Sequence, residues 1–210
     1  MDFFGSIAHF FQAGGHFMFP ILAVAVVGLA ITIERVLYIR KAKAENRKLW
    51  SELIPLVNKG DLAGAESVAM ASDSPIARIF GYGIARSRSS NKREDVEMSM
   101  EESLMEVSPL LERRTHYLAT FANVATLLGL LGTIVGLIDG FSAVGTVNPA
   151  EKADLLSAAV SEAMNCTAFG LLVAVPLLVI HAWLSAQTNE LIDSLEMASV
   201  KFLNALGLKG

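Results

Sequence analysis

Residues 118–138 read LATFANVATLLGLLGTIVGLI, with no charge from end to end. A bilayer's hydrocarbon core of roughly 30 Å takes about 17–25 helical residues to cross, and this run has that length. Two others match it in kind. Residues 17–33 read FMFPILAVAVVGLAITI, and residues 166–184 read CTAFGLLVAVPLLVIHAWL, broken only by His181. A buried helix of a soluble protein is rarely apolar on every side for so long. Three such runs in 210 residues predict three membrane spans.

Composition agrees. The chain is 53% hydrophobic and 18% charged, against roughly 25% charged in a soluble domain. Its mean hydropathy is +0.48. This excludes an ordinary cytosolic enzyme, and it excludes disorder, which needs a chain poor in apolar surface. The single cysteine, Cys166, excludes a disulfide scaffold and a multi-cysteine metal site. A net charge of −4 gives no basis for binding nucleic acid. No cofactor is expected.

Lysine and arginine set the orientation. Arg35, Arg40, Lys41, Lys43, Arg47 and Lys48 follow the first span; Arg113 and Arg114 precede the second; Lys201 and Lys209 follow the third. Outside these, the loop before the third span holds only Lys152. The expected plan has a periplasmic amphipathic helix (1–16), spans at 17–33, 117–138 and 166–184, and a cytoplasmic helical domain (34–116). A periplasmic loop with the start of the third helix (139–165) and a cytoplasmic C-terminal helix (185–210) complete it. The first span reads as a retained anchor, since no basic segment precedes it. The fold class is thus an all-α integral membrane protein, with two long helices extending into the cytoplasm beside a small helical domain.

Outside the bilayer, FFGSIAHFF (3–11) puts Phe3, Phe4, Ile7, Phe10 and Phe11 on one helical face, stopped by Gly14-Gly15. Ala42 to Asn58 continues the first span until Lys59-Gly60-Asp61 breaks it. A short helix covers Leu62 to Ala71, and Asp73-Ser74-Pro75 starts another over Ile76 to Arg86. Ser87 to Asn91 reads as a polar loop. From Lys92 a helix is expected to run unbroken into the second span, with a kink at Pro109. The third span runs on through Leu191, Leu195, Val200, Leu203 and Leu206. No phosphate-binding glycine loop and no catalytic constellation appears, so no enzyme is expected.

The polar residues of the spans carry the chemistry. Gly129, Gly132, Gly136 and Gly140 leave one helix face as bare backbone, which lets helices approach closely in lipid. Thr126 and Thr133 share nearly one stripe; they either bond back to their own helix or serve a polar pathway. Glu162 sits one turn before the third apolar run, either as a hydrated first-turn acid or facing a cavity or partner. Asp139 has the same two readings. Asn165 and Thr167 want polar company, while Gly170 is a packing candidate, Cys166 a small packing residue and His181 an interfacial histidine. No acid lies at the centre of any span. If protons cross here, the titrating group must come from another chain.

GLLGTIVGLIDGF (129–141) followed by SEAMNCTAFGLLVAVP (161–176) resembles the paired motif of the ExbB/TolQ proton-channel family, related to the MotA flagellar stators. The resemblance extends to the three-span plan, the large loop after the first span and the ERVLYIRKAK run (34–43). It implies a homopentameric ring around two single-span helices of an ExbD/TolR-like partner, each bearing an aspartate that loads and releases protons. It maps the family's pore threonines onto Thr133 and Thr167 and its pore glutamate onto Glu162. Thr126, Asn165 and Asp139 are further candidates for the pore lining. The implied function is a proton-driven inner-membrane motor in the bacterial envelope, surrounded by lipid. TonB-type import through a TonB-like protein is its first candidate load, with Tol-type or gliding loads as alternatives, and H⁺ is preferred to Na⁺. Cys166, His181 and Asp139 depart from the usual pattern. Two readings from other classes compete: a non-conducting membrane scaffold, and a haem anchor using His16 and His181.

Overall fold

The computed structural model describes residues 14–145 and 147–207. Among these the chain is helical throughout, without strands. Six helices follow one another: α1 (Met18–Asn58), α2 (Leu62–Met70), α3 (Pro75–Ser89), α4 (Arg93–Glu112), α5 (Thr115–Val144) and α6 (Lys152–Ala205). Three stretches, carried by α1, α5 and α6, are long and apolar enough to cross a membrane. The amphipathic segment expected at 3–11 lies outside the described residues.

The helix boundaries have local causes. After α1, Gly60 takes φ +76, a left-handed conformation that suits glycine. Asp61 then caps α2, its carboxylate accepting from the Gly64 N–H at 2.9 Å. Ser74 caps α3 in the same way through the Ala77 N–H, with Pro75 in the first turn where no N–H is missed. Glu94 and Asp95 sit in the first turn of α4, at the positive end of its dipole.

Two expectations need correction. The helix from Lys92 does not run unbroken into the second span. It accommodates Pro109 and ends at Glu112, and Arg114 adopts φ +65, which no α-helix tolerates. The polar loop at Ser87–Asn91 is also shorter than expected, because Ser87 and Ser89 donate back to the carbonyls of Ile84 and Arg86 and extend α3 to Ser89.

The chain divides into two compact units, residues 1–33 with 114–182, and residues 34–113 with 183–210. In the second, Leu49, Leu53 and Val57 of α1, Phe80 and Ile84 of α3, Met100 and Leu111 of α4, and Leu195 and Phe202 of α6 form one buried cluster. Phe80 stacks on Phe202 with centroids 4.6 Å apart, and Trp50 leans on Phe80 at 5.7 Å. Arg35 is 2% exposed. Its guanidinium donates to the Leu111 carbonyl, one of the last-turn acceptors that α4 leaves open, and lies 4.7 Å from the Tyr38 ring. In the first unit Gly28 of α1 receives Leu177 of α6, while large apolar side chains such as Phe19, Leu29, Ile138, Leu172 and Val179 remain exposed. Such a surface requires lipid or neighbouring protein.

Candidate functional site

The site lies in the first unit, where α5 and α6 run antiparallel over small residues. A Cβ at Gly129 would stand 3.2 Å from the Thr167 Cα and 3.3 Å from the Gly170 Cα. Further along, Gly132 abuts Cys166, Gly136 faces Ala163 with 3.4 Å to a built Cβ, and Gly140 abuts Ala159. From α6, a Cβ at Gly170 would stand 2.7 Å from the Ala125 carbonyl oxygen. A Cβ at Gly170 would come closer to backbone than real Cβ atoms do and one at Gly129 would be tight, so at these two positions the backbones approach as they do because glycine is there.

Within this seam two hydroxyls meet. Thr133 Oγ1 is in contact with Thr167 Oγ1. Thr133 Oγ1 also donates to the Gly129 carbonyl at 3.0 Å, with the Ala163 carbonyl at 3.3 Å, and Thr167 Oγ1 reaches the same Gly129 carbonyl at 3.0 Å. The two threonines lie 34 positions apart in sequence and share one acceptor. Thr126 stands apart from them and bonds to the Ala122 carbonyl of its own helix at 3.1 Å. Asn165 is half-buried, Cys166 is buried, and His181 is half-buried farther along α6.

A second feature gathers the acids. A cavity of about 270 Å³ is lined by Gly14, Gly15, His16, Phe17, Gly132, Val135, Gly136, Asp139 and Glu162. Three ionisable side chains from three segments thus border one space: His16 ahead of α1, Asp139 of α5 and Glu162 of α6. The Glu162 carboxylate packs directly over Gly15, at φ +72, and a Cβ there would overlap its oxygen. Glu162 precedes Ala163, whose carbonyl is within reach of Thr133, so the acidic cavity and the hydroxyl pair adjoin along α6.

His16 and Gly15 were not readable as members of this group. The one available signal was the Gly14-Gly15 pair, which marks a turn without saying what the turn approaches. A single haem held by His16 and His181 does not fit. His16 borders the cavity with Glu162, and His181 is 19 residues farther along the same helix, about 28 Å at helical rise. Among the described residues, no group of three or more His, Cys, Asp or Glu is placed to hold a metal ion.

The MotA/TolQ/ExbB proton channel family matches residues 71–197, which include both helices of the seam. The chain is similar to an ExbB homolog of the biopolymer transport type from Methanothermobacter thermautotrophicus, 26% identical over 202 residues that span 94% of this chain and 69% of the relative. It is similar to an ExbB-like biopolymer transport protein from Synechocystis, 28% identical over 169 residues and 80% of each chain. A shorter stretch of 81 residues is 33% identical to the Tol-Pal system protein TolQ of Haemophilus influenzae, covering 39% of this chain and 35% of that one. These relatives are named for biopolymer transport and for the Tol-Pal system, and the matched family is one of proton channels and not of enzymes. A helical chain with three membrane-length apolar helices, closed by a glycine seam that carries paired threonines, belongs to the MotA/TolQ/ExbB proton channel family.

Proposed function

We propose that copies of this chain, five by family resemblance, form a ring around the single membrane helices of an ExbD/TolR-like partner dimer, and that Thr133 and Thr167 face the partner's carboxylic acid. The observation that carries this reading is the hydroxyl pair on the Gly129 carbonyl, set within apolar helices that have no mid-span acid of their own. A hydroxyl pair there can hydrogen-bond a carboxyl brought in by another chain and adjust its proton affinity. Glu162, with His16 and Asp139 around the adjoining cavity, supplies exchangeable charge at the entrance. Proton passage from that entrance through the partner's acid drives motion of ring against dimer, and the partner carries it to a load.

The topology proposed with this mechanism puts residues 17–33, 117–138 and 166–184 in the inner membrane. The N-terminus and 139–165 are periplasmic, and 34–116 and 185–210 are cytoplasmic, as the distribution of Lys and Arg favours. TonB-type import is the proposed load. The stretch resembling TolQ favours a Tol-type load as the second reading.

The test is proton flux in liposomes holding the complex of this chain with its partner. Alanine at both Thr133 and Thr167 should lower flux at least about tenfold, the worth of about 1.4 kcal/mol, while the complex still assembles. Full flux in the assembled double variant would remove the threonines from the mechanism. Glu162→Ala should impair flux, and Glu162→Gln separates the need for charge from the need for a polar group.

A further inference from the structure

A threonine hydroxyl holds one proton to donate and two lone pairs to accept with. Thr133 and Thr167 therefore hold two protons between them. Each hydroxyl has the Gly129 carbonyl at 3.0 Å, and Thr133 also has the Ala163 carbonyl at 3.3 Å. The bond between the two hydroxyls can use at most one proton, and that proton too stays inside the chain. Both protons are thus engaged internally. What the pair has left to offer outward is lone pairs.

We infer that the Thr133–Thr167 pair is a hydrogen-bond acceptor polarised by the Gly129 carbonyl, that it selects the protonated form of a carboxylic acid beside it, and that Gly129 and Gly170 are positioning residues for this polarity. The inference rests on the reading that a partner's acid meets the threonines. A neutral carboxyl donates its proton to a lone pair, whereas a carboxylate faces two oxygens of like partial charge. For a hydroxyl to turn its proton outward, it must give up its bond to a backbone carbonyl. The preference amounts to one neutral hydrogen bond, about tenfold in the protonation ratio or about one pH unit. The pair is then a station where the acid stays loaded, and the acid releases its proton on leaving it.

The glycines make this possible by geometry. Thr167 Oγ1 reaches a carbonyl on another helix only because Gly129 and Gly170 let the two backbones touch, with 3.1 Å from a built Cβ on Gly170 to the Gly129 Cα. The titratable groups of the same unit nearest the pair are Cys166 and Glu162 on α6, Asp139 on α5 and His16 ahead of α1. The variants below leave all four in place, so their influence is common to every arm.

Dicyclohexylcarbodiimide reacts with protonated carboxyls. Its labelling of the partner's acid, followed against pH by mass spectrometry in the full complex, reads the proton affinity directly. T133V/T167V should move the labelling midpoint about one unit lower, while T133S/T167S should keep the wild-type midpoint. Removing two polar groups would by itself raise the acid's pKa, so a downward shift identifies lost acceptors. Gly170→Ala keeps both hydroxyls but displaces Thr167 from the Gly129 carbonyl, and should also lower the midpoint. Should the double valine variant fail to assemble, T167V alone carries the test with about half the shift. An unchanged or raised midpoint overturns the acceptor polarity and leaves the partner's acid at the threonines. A wild-type complex whose partner acid never labels overturns both.

Discussion

The α5–α6 seam and the cluster around Phe80 solve the same packing problem with opposite residues. The seam closes on Gly129, Gly132, Gly136, Gly140 and Gly170, and many large apolar side chains of that unit point outward. The second unit closes on Phe80, Phe202, Met100 and Leu53, all buried inward. In water, burying large apolar groups drives folding at roughly 25 cal/mol per Å². In lipid that gain vanishes, and close backbone contact with shared hydrogen bonds takes its place. The difference teaches where each unit is vulnerable: the seam to added atoms, the cluster to removed ones.

Adding atoms to the seam should do the most damage. Gly129→Leu places a side chain against the Thr167 and Gly170 backbones, and should abolish a monodisperse complex in detergent-based size-exclusion chromatography. Gly81→Leu, at a glycine of α3 with open space around it, should leave the elution profile unchanged. Removing atoms from the cluster comes next. Phe80→Ala should cost about 3–5 kcal/mol, read as a lower unfolding midpoint by tryptophan fluorescence, with Trp50 against Phe80 as the local reporter. Arg35→Met should cost about 1.5–3 kcal/mol, the worth of a charge-assisted bond to the Leu111 carbonyl, in the same measurement. A methionine-for-arginine exchange without loss of stability would make that guanidinium a passenger.

The smallest effect is electrostatic and confined to the second unit. Lys43 donates to Glu190 at 2.6 Å and to Gln187 at 3.0 Å. The hydrogen bond from Lys43, and then its charge, hold the Glu190 carboxyl below its ordinary value. A lowered folded-state pKa contributes stability above the ordinary carboxylate range, and the contribution is lost as pH falls through the lowered value. Glu190→Gln should flatten that acidic limb of the stability curve, and salt should do the same to the unsubstituted protein because the pair is exposed. An acidic limb unchanged by Glu190→Gln would assign it to other carboxylates.

Much of the fold is legible in the sequence because its signals are long or local. An uncharged run of membrane length has few other uses, and Gly60, Asp61, Ser74 and Pro75 act within their own turns. The break at Arg113–Arg114 was hidden, since arginine carries no mark of a left-handed turn, and the nearby Pro109 drew attention to a position the helix absorbs. Arg35 announced membrane orientation by its charge; its burial against the end of α4 depends on residues 76 positions away. The candidate site divides in the same manner. The glycines stand out by type and spacing; spacing alone pairs Thr133 with Thr126, and it is the family resemblance that singles out Thr133, Thr167 and Glu162 together. The Gly129 carbonyl that takes both hydroxyls, and the place of His16 beside Asp139 and Glu162, come from tertiary approach and leave no trace in residue type.

Cys166 gives the seam a further use. It is the sole thiol in the chain, 1% exposed and seated on Gly132. Any separation of α5 from α6 must uncover that sulfur, and any tightening must keep it shut. The rate at which a maleimide finds it is therefore a clock for opening of the seam, wound by the native sequence and needing no engineered cysteine.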